Sequence, residues 1–336
     1  MASIEKRSWS FGAALCLALM GAACGGGRQA AGGPGKVESF RVATLTWVGY
    51  APIYLAKEKG FFEGIDVSLE KMEDTPARRA AMASGNVDGS VDIIDSFTNG
   101  AAAGLPAVVV LKLDDSMGGD GIVVRKNLGS IKDLRGKTVA YPPGLPSHFF
   151  LLALLDDAGM KISDVESRPM EADQAGAAFV SGSVDAAVTW EPWLTRAAAL
   201  PDGKILITSR DTPGLIVDVF TVRKDYLHDH PQAIRAFLRG WFRSLDYWKT
   251  NRHDADAIMA KSMGLGTPEF ERMVTGVRYS DLANNQTFFS AAAGGGSPFS
   301  SIVKRADQIW GREGLIKTPV DPKTIDGSAI VLSMTP

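Results

Sequence analysis

The sequence predicts an α/β protein built from two similar lobes with mainly parallel sheets. Three observations lead to this fold class. Short apolar strands alternate with amphipathic helices along the chain, which is the pattern of βαβ units. A short phrase recurs, first as ASGNVDGSV from Ala83 to Val91 and again as VSGSVDAAV from Val180 to Val188. Two apolar strands that run into Arg-Lys, GIVVRKN and DVFTVRKD, bracket the second copy.

The first unit follows this alternation from Phe40 onward. Its strands are rich in β-branched residues, and its first helix ends near Gly60. The predicted elements are, in order, the strand FRVATLT, the helix APIYLAKEKGFF, the strand IDVSLEKM, the helix PARRAAMASG and the strands VDGSVDII and AVVVLKL. Because helices join consecutive strands, these strands are expected to run parallel in one sheet.

The second unit repeats the plan. Its predicted elements are the strand KTVAYP, the helix SHFFLLALLDDAG, the strand VESRPM, the helix DQAGAAFVSG and the strand VDAAVTW. Each copy of the repeated phrase places a helix end, a Ser-Gly stop, a Val-Asp pair and a buried strand in the same order. Two similar α/β units are the economical interpretation, and a chance match over so few residues is the alternative.

The strands around Val123 and Val222 are predicted to connect the two lobes, because they enclose the second unit. If the chain leaves the first lobe near Val123 and returns near Val222, the first lobe comprises residues 39–122 and 222–336. The second lobe then comprises residues 123–221. Two connecting strands predict a hinge, and a hinge between two lobes predicts a cleft that closes.

The C-terminal part is predicted to be helical and to pack on the first lobe. Pro231 begins a helix in which aromatic and aliphatic residues recur at three- and four-residue spacing through Trp248. Thr267 and Pro268 begin a further helix, and SPFSSIVKRADQIWGREG forms the last one. The aromatic residues of the first of these helices are interpreted as core.

Residues 1–24 are interpreted as an export signal rather than a fold element. Two basic residues precede an apolar run that is too short for a membrane span and that ends at Cys24. The glycine-rich residues 25–38 suit a flexible tether. A lipidated Cys24 places the domain in the periplasm or at the cell surface, anchored to a membrane. Ordinary cleavage is the alternative, because Gly21 stands where lipoprotein signals usually carry an aliphatic residue.

Composition excludes several classes of function. The chain has 336 residues, a formal charge of −2 and a pI near 6.1, which gives no basic field for a nucleic acid. Cys16 and Cys24 both lie in the export signal, so neither a disulfide nor a thiolate metal site is expected after it. The sequence contains no phosphate-binding loop, nucleophile elbow or zinc-protease motif. We therefore expect a protein that is not an enzyme and that uses neither a cofactor nor a metal.

Candidate binding residues follow the predicted strands, because ligands collect at the carboxyl ends of parallel strands. Indoles and carboxylates dominate there, while Lys and Arg are almost absent. The candidates are Trp47, Asp95, Asp120, Ser147, His148, Trp190, Glu191, Trp193 and Asp218. Aromatic faces and carboxylates attract positive charge, which indicates a small cation or zwitterion. About half of the acidic residues are expected to cap helices instead.

The segment PPGLPSHFF places a helix start, with Ser147 and His148, beside the predicted cleft. Free backbone N–H groups and the partial positive charge of a helix start can receive an anionic group. The structural alternatives are a capping role for Ser147 and a hydrogen-bonding role for His148. His148 is the one histidine predicted near the cleft, so a general base has little support.

Four segments carry a family resemblance: WVGYAPIYLAKEKGFFE, ASGNVDGSVDIIDSFTNGAAAGLPAVVV, GIVVRKNLGSIKDLRGKTVAYPPGLPSHFFL and VSGSVDAAVTWEPWLTRA. They resemble the extracytoplasmic solute-binding proteins of ABC importers in the nitrate, sulfonate and taurine class, relatives of pyrimidine-binding thiamine-precursor proteins. The similar region covers residues 40–260. The resemblance implies a type II periplasmic-binding-protein fold, in which two α/β lobes joined by two hinge strands close on a solute.

The resemblance also implies which residues line the cleft. The positions that match are Trp47, Asp95, Ser147, His148, Trp190 and Glu191. Alkanesulfonate binders of this family commonly have Ser or Thr beside His at the helix start, as at Ser147 and His148. The acidic residues from Asp114 to Asp120 and at Glu191 depart from the family pattern, which makes a plain sulfonate or nitrate a poorer expectation.

These observations predict a monomeric solute-binding protein that delivers its ligand to an ABC permease in the membrane. The expected ligand is an amine, a guanidinium-like solute or an amino-sulfonate such as taurine. The alternative is an alkanesulfonate or nitrate, bound through the helix start at residues 144–150. Less expected are a ligand-sensing partner of a membrane receptor and a pyrimidine-synthase-like enzyme, which the lack of cysteines disfavours. The sequence leaves the solute, its affinity and the permease open.

Overall fold

A computed structural model describes residues 37–292 and 295–335 of the chain. The predicted export signal, Cys24 and most of the predicted tether lie outside the described residues. Two β-sheets carry helices on their faces, so the predicted α/β class is confirmed. In the described part of the chain, no helix combines the length and the hydropathy that a membrane crossing needs.

Each strand and helix predicted above has a counterpart in the structure. The strands are β1 (Glu38–Thr44), β2 (Ile65–Lys71), β3 (Gly89–Ile93), β4 (Ala107–Ser116), β5 (Asp120–Arg125), β6 (Thr138–Tyr141), β7 (Glu166–Pro169), β8 (Ala186–Trp190), β9 (Gly203–Thr208), β10 (Val217–Arg223) and β11 (Val277–Tyr279). The α-helices are α1 (Ala51–Glu58), α2 (Thr75–Ala83), α3 (Ile94–Ala102), α4 (Pro146–Asp157), α5 (Ala172–Val180), α6 (Trp193–Ala198), α7 (Lys224–Asp229), α8 (Pro231–Thr250), α9 (Arg252–Met263), α10 (Thr267–Met273), α11 (Leu282–Phe289), α12 (Pro298–Arg312) and α13 (Ala329–Leu332).

The two sheets share one plan. The strand order is β11-β4-β10-β3-β1-β2 in the first sheet and β7-β6-β8-β5-β9 in the second. In the first sheet β1 runs parallel to β2 and β3, and β10 is antiparallel to both of its neighbours. In the second sheet β6 runs parallel to β7 and β8, and β5 is antiparallel to both of its neighbours. Most strands of each sheet therefore run in one direction, as predicted.

The chain crosses between the sheets at two places, both earlier than predicted. Residues 117–119 lead from β4 of the first sheet into β5 of the second, and residues 209–216 lead from β9 back into β10. The crossings expected near Val123 and Val222 are corrected, because Val123 pairs inside the second sheet and Val222 inside the first. The two Arg-Lys strands are the antiparallel strands that each sheet receives after a crossing. We propose the lobe boundaries at these two connections.

Aromatic residues pack α8 against the first sheet. The ring of Phe237 on α8 lies 4.3 Å from that of Phe220 on β10 and 5.3 Å from that of Phe40 on β1. All three rings are fully buried. Their burial explains why apolar residues recur at helical spacing along α8.

The last long helix, α12, contacts both lobes. It packs on α3 beside the first sheet and also on α4 beside the second. Arg305 of α12 donates hydrogen bonds to both carboxylate oxygens of Asp157 at the end of α4, at 2.8 and 2.9 Å. The prediction that the C-terminal helices pack on the first lobe is therefore wrong for α12, which bridges the two lobes.

Candidate functional site

A cleft opens where strand ends of the two sheets meet. Its empty space is about 710 Å³, including the part that is open to solvent. The candidates from the sequence that line it are Trp47, Asp120, Trp190 and Asp218. Trp47 follows β1 and Trp190 ends β8, whereas Asp120 and Asp218 stand at the starts of β5 and β10. Because β5 and β10 are antiparallel, their first residues reach the edge where the parallel strands end.

Strand pairing brings Asp120 and Trp190 together, since they are opposite residues in the antiparallel pair of β5 and β8. Oδ2 of Asp120 accepts a hydrogen bond from the hydroxyl of Ser116 at 2.6 Å. Burial raises the pKa of Asp120 to about 6, Ser116 opposes this rise, and the charge of Glu191 adds to it. The carboxyl of Asp120 is therefore mostly ionised at pH 7 and mostly protonated at pH 5.

Two buried carboxyls, Asp114 and Asp218, face each other across β4 and β10, where they are opposite residues. The hydroxyl of Tyr50 donates a hydrogen bond to Asp218, and Nε1 of Trp47 donates one to Asp114 at 3.4 Å. Burial raises the pKa of both carboxyls, and the charge of Asp114 raises that of Asp218 further. The pair therefore retains a proton at neutral pH.

Gly49, in the turn after β1, leaves space for this arrangement, because a Cβ at this position would overlap Oδ2 of Asp114 and Nε1 of Trp47. Gly49→Ala is expected to lower the free energy of unfolding by about 1 to 3 kcal/mol through overpacking. Urea denaturation measures the loss. Gly129→Ala is the control, since its Cβ would meet only Oδ2 of Asp133 at an ordinary 3.6 Å. Equal losses in the two variants would contradict this expectation.

Asp95 is fully buried and is not part of the cleft lining, whereas the next residue, Ser96, lines the cleft. Asp95 stands in the first turn of α3, and neither of its carboxylate oxygens has a hydrogen-bond partner among the described residues. Burial, with a smaller contribution from the charge of Asp92, raises the pKa of Asp95 to about 8. Asp95 is therefore mostly protonated at neutral pH and does not supply the full negative charge that the sequence suggested.

Ser147 is buried in the first turn of α4, and it is not part of the cleft lining, whereas Leu145 and Pro146 are. Its hydroxyl oxygen has no hydrogen-bond partner in the part of the chain that the structure describes. Leu145 is the N-cap residue of α4, so the capping role considered for Ser147 is wrong. A buried hydroxyl without a partner is rare in folded proteins.

His148 is also absent from the cleft lining and is only 7% exposed. Its ring stacks on Tyr141 at 4.5 Å, and its Nδ1 accepts a hydrogen bond from the backbone N–H of Gly144 at 3.1 Å. Burial lowers the pKa of His148 to about 4, so the ring is neutral at pH 7. Because Nδ1 accepts, the proton sits on Nε2, which makes His148 a neutral donor rather than a cation.

Glu191 and Trp193 lie outside the lining of the cleft, which corrects the prediction of a wall formed by Trp190, Glu191 and Trp193. The carboxylate of Glu191 accepts hydrogen bonds from the backbone N–H of Thr195 at 3.1 Å and from its hydroxyl at 2.6 Å. The ring of Trp193 lies 4.9 Å from the guanidinium of Arg196. Both side chains therefore support the start of α6, while Trp190 alone faces the cleft.

Arg78 of α2 is the main cleft residue that sequence reasoning missed. It lies inside the predicted helix PARRAAMASG, whereas the other candidates were chosen because they follow predicted strands. The expectation that cations are almost absent from the site is wrong at this position. Other additional lining residues are Thr46, Tyr50, Glu73, Thr75 and Ser96. Within residues 37–292 and 295–335, no cluster of three or more His, Cys, Asp or Glu side chains could hold a metal ion.

Sequence comparisons place this cleft in a known family context. The family model described as "NMT1/THI5 like" matches residues 47–255. The "Taurine-binding periplasmic protein" of Escherichia coli (strain K12) is 30% identical over 197 residues, which cover 57% of this chain and 59% of that protein. A Bacillus subtilis (strain 168) protein, provisionally named as an aliphatic sulfonates-binding protein, is 28% identical over 213 residues, or 61% of this chain. The matched region spans 64% of that relative, so the chain covers less than two thirds of either protein.

Solved structures show the same fold. The periplasmic aliphatic sulphonate binding protein SsuA from Escherichia coli superposes with a TM-score of 0.72 at 21% identity, covering 86% of this chain and 92% of that one. The nitrate-binding protein NrtA from Synechocystis PCC 6803 gives a TM-score of 0.63 at 17% identity, covering 88% and 85%. At these identities the likeness concerns the fold, and the predicted periplasmic-binding-protein fold is confirmed.

Proposed function

Because this chain belongs to the NMT1/THI5-like family, we propose that it is the solute-binding component of an ABC importer. In this proposal it captures a small nitrogen- or sulfur-containing organic solute outside the cytoplasm and delivers it to a permease in the membrane. It binds the solute without converting it, acts as a monomer and is held at the membrane through Cys24. A relative named as a taurine-binding periplasmic protein supports the proposal.

The cleft between the two sheets is the observation that carries the proposal. Trp47 after β1 and Trp190 at the end of β8 contribute indoles from different sheets, and Asp120 and Asp218 contribute carboxyls. An aromatic face attracts a cation by about 0.5 to 2 kcal/mol, and the ionised carboxylate of Asp120 adds charge-assisted hydrogen bonds. Closure of the lobes strengthens both interactions because it removes water. These groups favour an amine, a guanidinium-like solute or an amino-sulfonate such as taurine.

An alkanesulfonate or nitrate is the second candidate ligand. It is supported by Leu145 and Pro146, which bring the start of α4 to the cleft, where backbone N–H groups attract anions. The ionised carboxyl of Asp120 opposes it, because a bare anion in the cleft would be repelled. An amino-sulfonate combines both attractions, which is why we prefer it to a simple anion.

Isothermal titration calorimetry with a solute panel tests the proposal. The panel contains taurine, propylamine, guanidinium, propanesulfonate and nitrate. We expect heat from a solute that carries a protonated nitrogen and none from nitrate. Binding of nitrate or propanesulfonate alone would contradict the cationic part of the proposal and favour the second candidate. Absence of binding across the panel would count against an importer for this class of solute.

Asp120→Asn is expected to weaken the binding of a cationic solute about tenfold to a hundredfold, because it removes a buried charge-assisted hydrogen bond.

In the unmodified protein the same affinity should fall about tenfold from pH 7.5 to pH 5, since the pKa of Asp120 is about 6 and only its ionised form attracts the cation. Calorimetry at both pH values checks this. Asp202→Asn, in the exposed pair with Arg125, is the control. If the affinity of Asp120→Asn for the cationic solute still falls about tenfold from pH 7.5 to pH 5, the role of Asp120 is contradicted.

A ligand-sensing partner of a membrane receptor is a different class of function for the same cleft. Capture of membrane proteins by the solute-loaded chain distinguishes the two. We expect the permease of an ABC importer among the captured proteins, and stimulation of its ATPase by the loaded chain. Capture of a receptor without a permease would favour the sensing role.

A further inference from the structure

Two buried serines join the two connections that the chain makes between the sheets. Ser116 ends β4 immediately before the first connection, residues 117–119, and Ser209 begins the second, residues 209–216. Their hydroxyl oxygens lie 2.7 Å apart, and both residues are at most 1% exposed. Since Ser116 also hydrogen-bonds to Asp120 at the start of β5, two hydroxyls link a carboxyl of the cleft to the segment that returns to the first sheet.

The backbone of the first connection sets the direction of these hydrogen bonds. The N–H groups of Gly118 and Asp120 both donate to Oγ of Ser209, at 2.8 and 3.4 Å. A hydroxyl has two acceptor sites and one donor, so Ser209 accepts from these two groups and donates its own proton to Ser116. The proton of Ser116 is then free for Oδ2 of Asp120 at 2.6 Å. This serine relay, from Ser209 through Ser116 to Asp120, therefore runs in one direction and ends on the carboxylate.

The serine relay favours the ionised form of Asp120. An ionised carboxylate accepts the proton that Ser116 donates, and a hydrogen bond to the charged form of an acid lowers its pKa. A carboxyl protonated on Oδ2 would instead donate to Ser116, which would then have to donate to Ser209. Both acceptor sites of Ser209 are already used by backbone N–H groups. Loss of either hydroxyl should therefore shift Asp120 toward its protonated form.

No basic side chain takes over the role of the serine relay among the described residues that surround Asp120. The charged residues on the elements around it are Glu191 after β8, Asp218 on β10, Arg210 and Asp211 on the second connection, and Arg78 on α2. The two guanidinium groups donate hydrogen bonds to backbone carbonyls instead, at 2.9 Å for Arg78 and 3.3 Å for Arg210. Burial and the charge of Glu191 raise the pKa of Asp120, and the hydroxyl of Ser116 opposes them. The extent to which Asp120 is ionised therefore depends on this hydroxyl.

We propose that Ser209 is a positioning residue for solute binding, which holds the two connections together and directs the hydroxyl proton of Ser116 onto the carboxylate of Asp120. This inference rests on the proposed function, in which Asp120 attracts the protonated nitrogen of the solute, and it adds the residues that control this charge. The serine relay crosses from one connection to the other, so the charge of Asp120 depends on their pairing. By linkage, a cation bound at Asp120 stabilises the paired connections in return.

NMR titration of the carboxyl carbons in the solute-free protein tests the serine relay directly, with Asp120→Asn to identify the signal of Asp120. The pKa of Asp120 is about 6 in the unmodified protein. In Ser116→Ala it should rise to about 7, because a hydrogen bond to a charged group is lost. In Ser209→Ala it should rise by a smaller amount, since Ser116 keeps its proton but loses the group that directs it.

Ser209→Thr retains the hydroxyl and should restore the pKa of Asp120 to that of the unmodified protein. Ser209→Cys, whose thiol is a weak donor and acceptor, provides the measurement if Ser209→Ala does not fold. Ser244→Ala is the control, because Ser244 is equally buried but donates to a backbone carbonyl within α8. An unchanged pKa of Asp120 after removal of the Ser209 hydroxyl overturns the inference.

Calorimetry with propylamine separates a positioning role from a structural one. If the pKa of Asp120 rises from about 6 to about 7, its ionised fraction falls about threefold at pH 6.5 and hardly changes at pH 8.5. Ser116→Ala should therefore bind propylamine about threefold more weakly than the unmodified protein at pH 6.5 and equally well at pH 8.5. Equal weakening at both pH values would show a structural role alone and overturn the inference. If the pKa of Asp120 shifts as expected but no solute of the panel binds, the serine relay is supported while the proposed function fails.

Discussion

Trp310→Ala is expected to lower the free energy of unfolding by about 3 to 5 kcal/mol, the range for removing a large buried aromatic side chain. Trp310 on α12 is completely buried. Its Nε1 donates a hydrogen bond to the backbone carbonyl of Asp95 at 3.1 Å, and its ring lies 5.4 Å from that of His148 and 5.7 Å from that of Phe149. The substitution therefore leaves a cavity where α12 joins helices of both lobes, and it also removes the hydrogen bond that the indole donates to α3.

Urea denaturation monitored by far-UV circular dichroism measures this loss. Trp193→Ala is the matched control, because Trp193 is half-buried at the start of α6 and should cost less stability. Trp310→Phe should lie between the two, since it retains most of the ring volume but removes the hydrogen bond to Asp95, a loss of about 0.5 to 1.5 kcal/mol. If Trp310→Ala costs no more than Trp193→Ala, the bridging role of α12 is contradicted.

The repeated phrase was the most informative sequence signal, and the structure gives its physical reason. Asp88 of the first copy accepts a hydrogen bond from the backbone N–H of Arg41 on β1 at 3.0 Å. Asp185 of the second copy accepts one from the backbone N–H of Thr138 on β6 at 2.9 Å. In each sheet the aspartate before a central strand thus fixes the neighbouring parallel strand. This local pattern was enough to predict two similar lobes, because the same local hydrogen bond forms in both of them.

The direction of individual side chains at the strand ends could not be predicted in the same way. Glu191 and Trp190 are adjacent, yet Trp190 faces the cleft and Glu191 binds Thr195 four residues later. Arg78 reaches the cleft from a helix because carbonyl groups after β2 orient its guanidinium. Both outcomes depend on hydrogen bonds that form only after the chain has folded. Strand periodicity therefore located the cleft but could not select all of its lining residues.

The buried carboxyl of Asp95 should make the protein less stable as the pH rises. Its pKa is about 8 in the folded protein, against an ordinary value of 3.8, so between these values the folded state holds a proton that the unfolded state has lost. Stability contributed by this group is then present below about pH 4 and is lost progressively up to about pH 8. The loss between pH 5 and pH 8 is on the order of 4 kcal/mol.

Asp95→Asn isolates this contribution, because an amide has the same shape and no titration in this range. We expect the variant to gain stability relative to the unmodified protein as the pH rises from 5 to 8, by a few kcal/mol at pH 8. Urea denaturation at several pH values measures the difference. Asp114, Asp120 and Asp218 also have raised pKa values, but they are present in both proteins. Their contributions to the pH dependence of stability therefore largely cancel when the two proteins are compared. Asp202→Asn, at an exposed carboxyl, should follow the unmodified protein. If the free energy of unfolding of Asp95→Asn falls with pH as steeply as that of the unmodified protein, the prediction is wrong. The carboxyl of Asp95 is then ionised in the folded protein and adds a negative charge near the cleft.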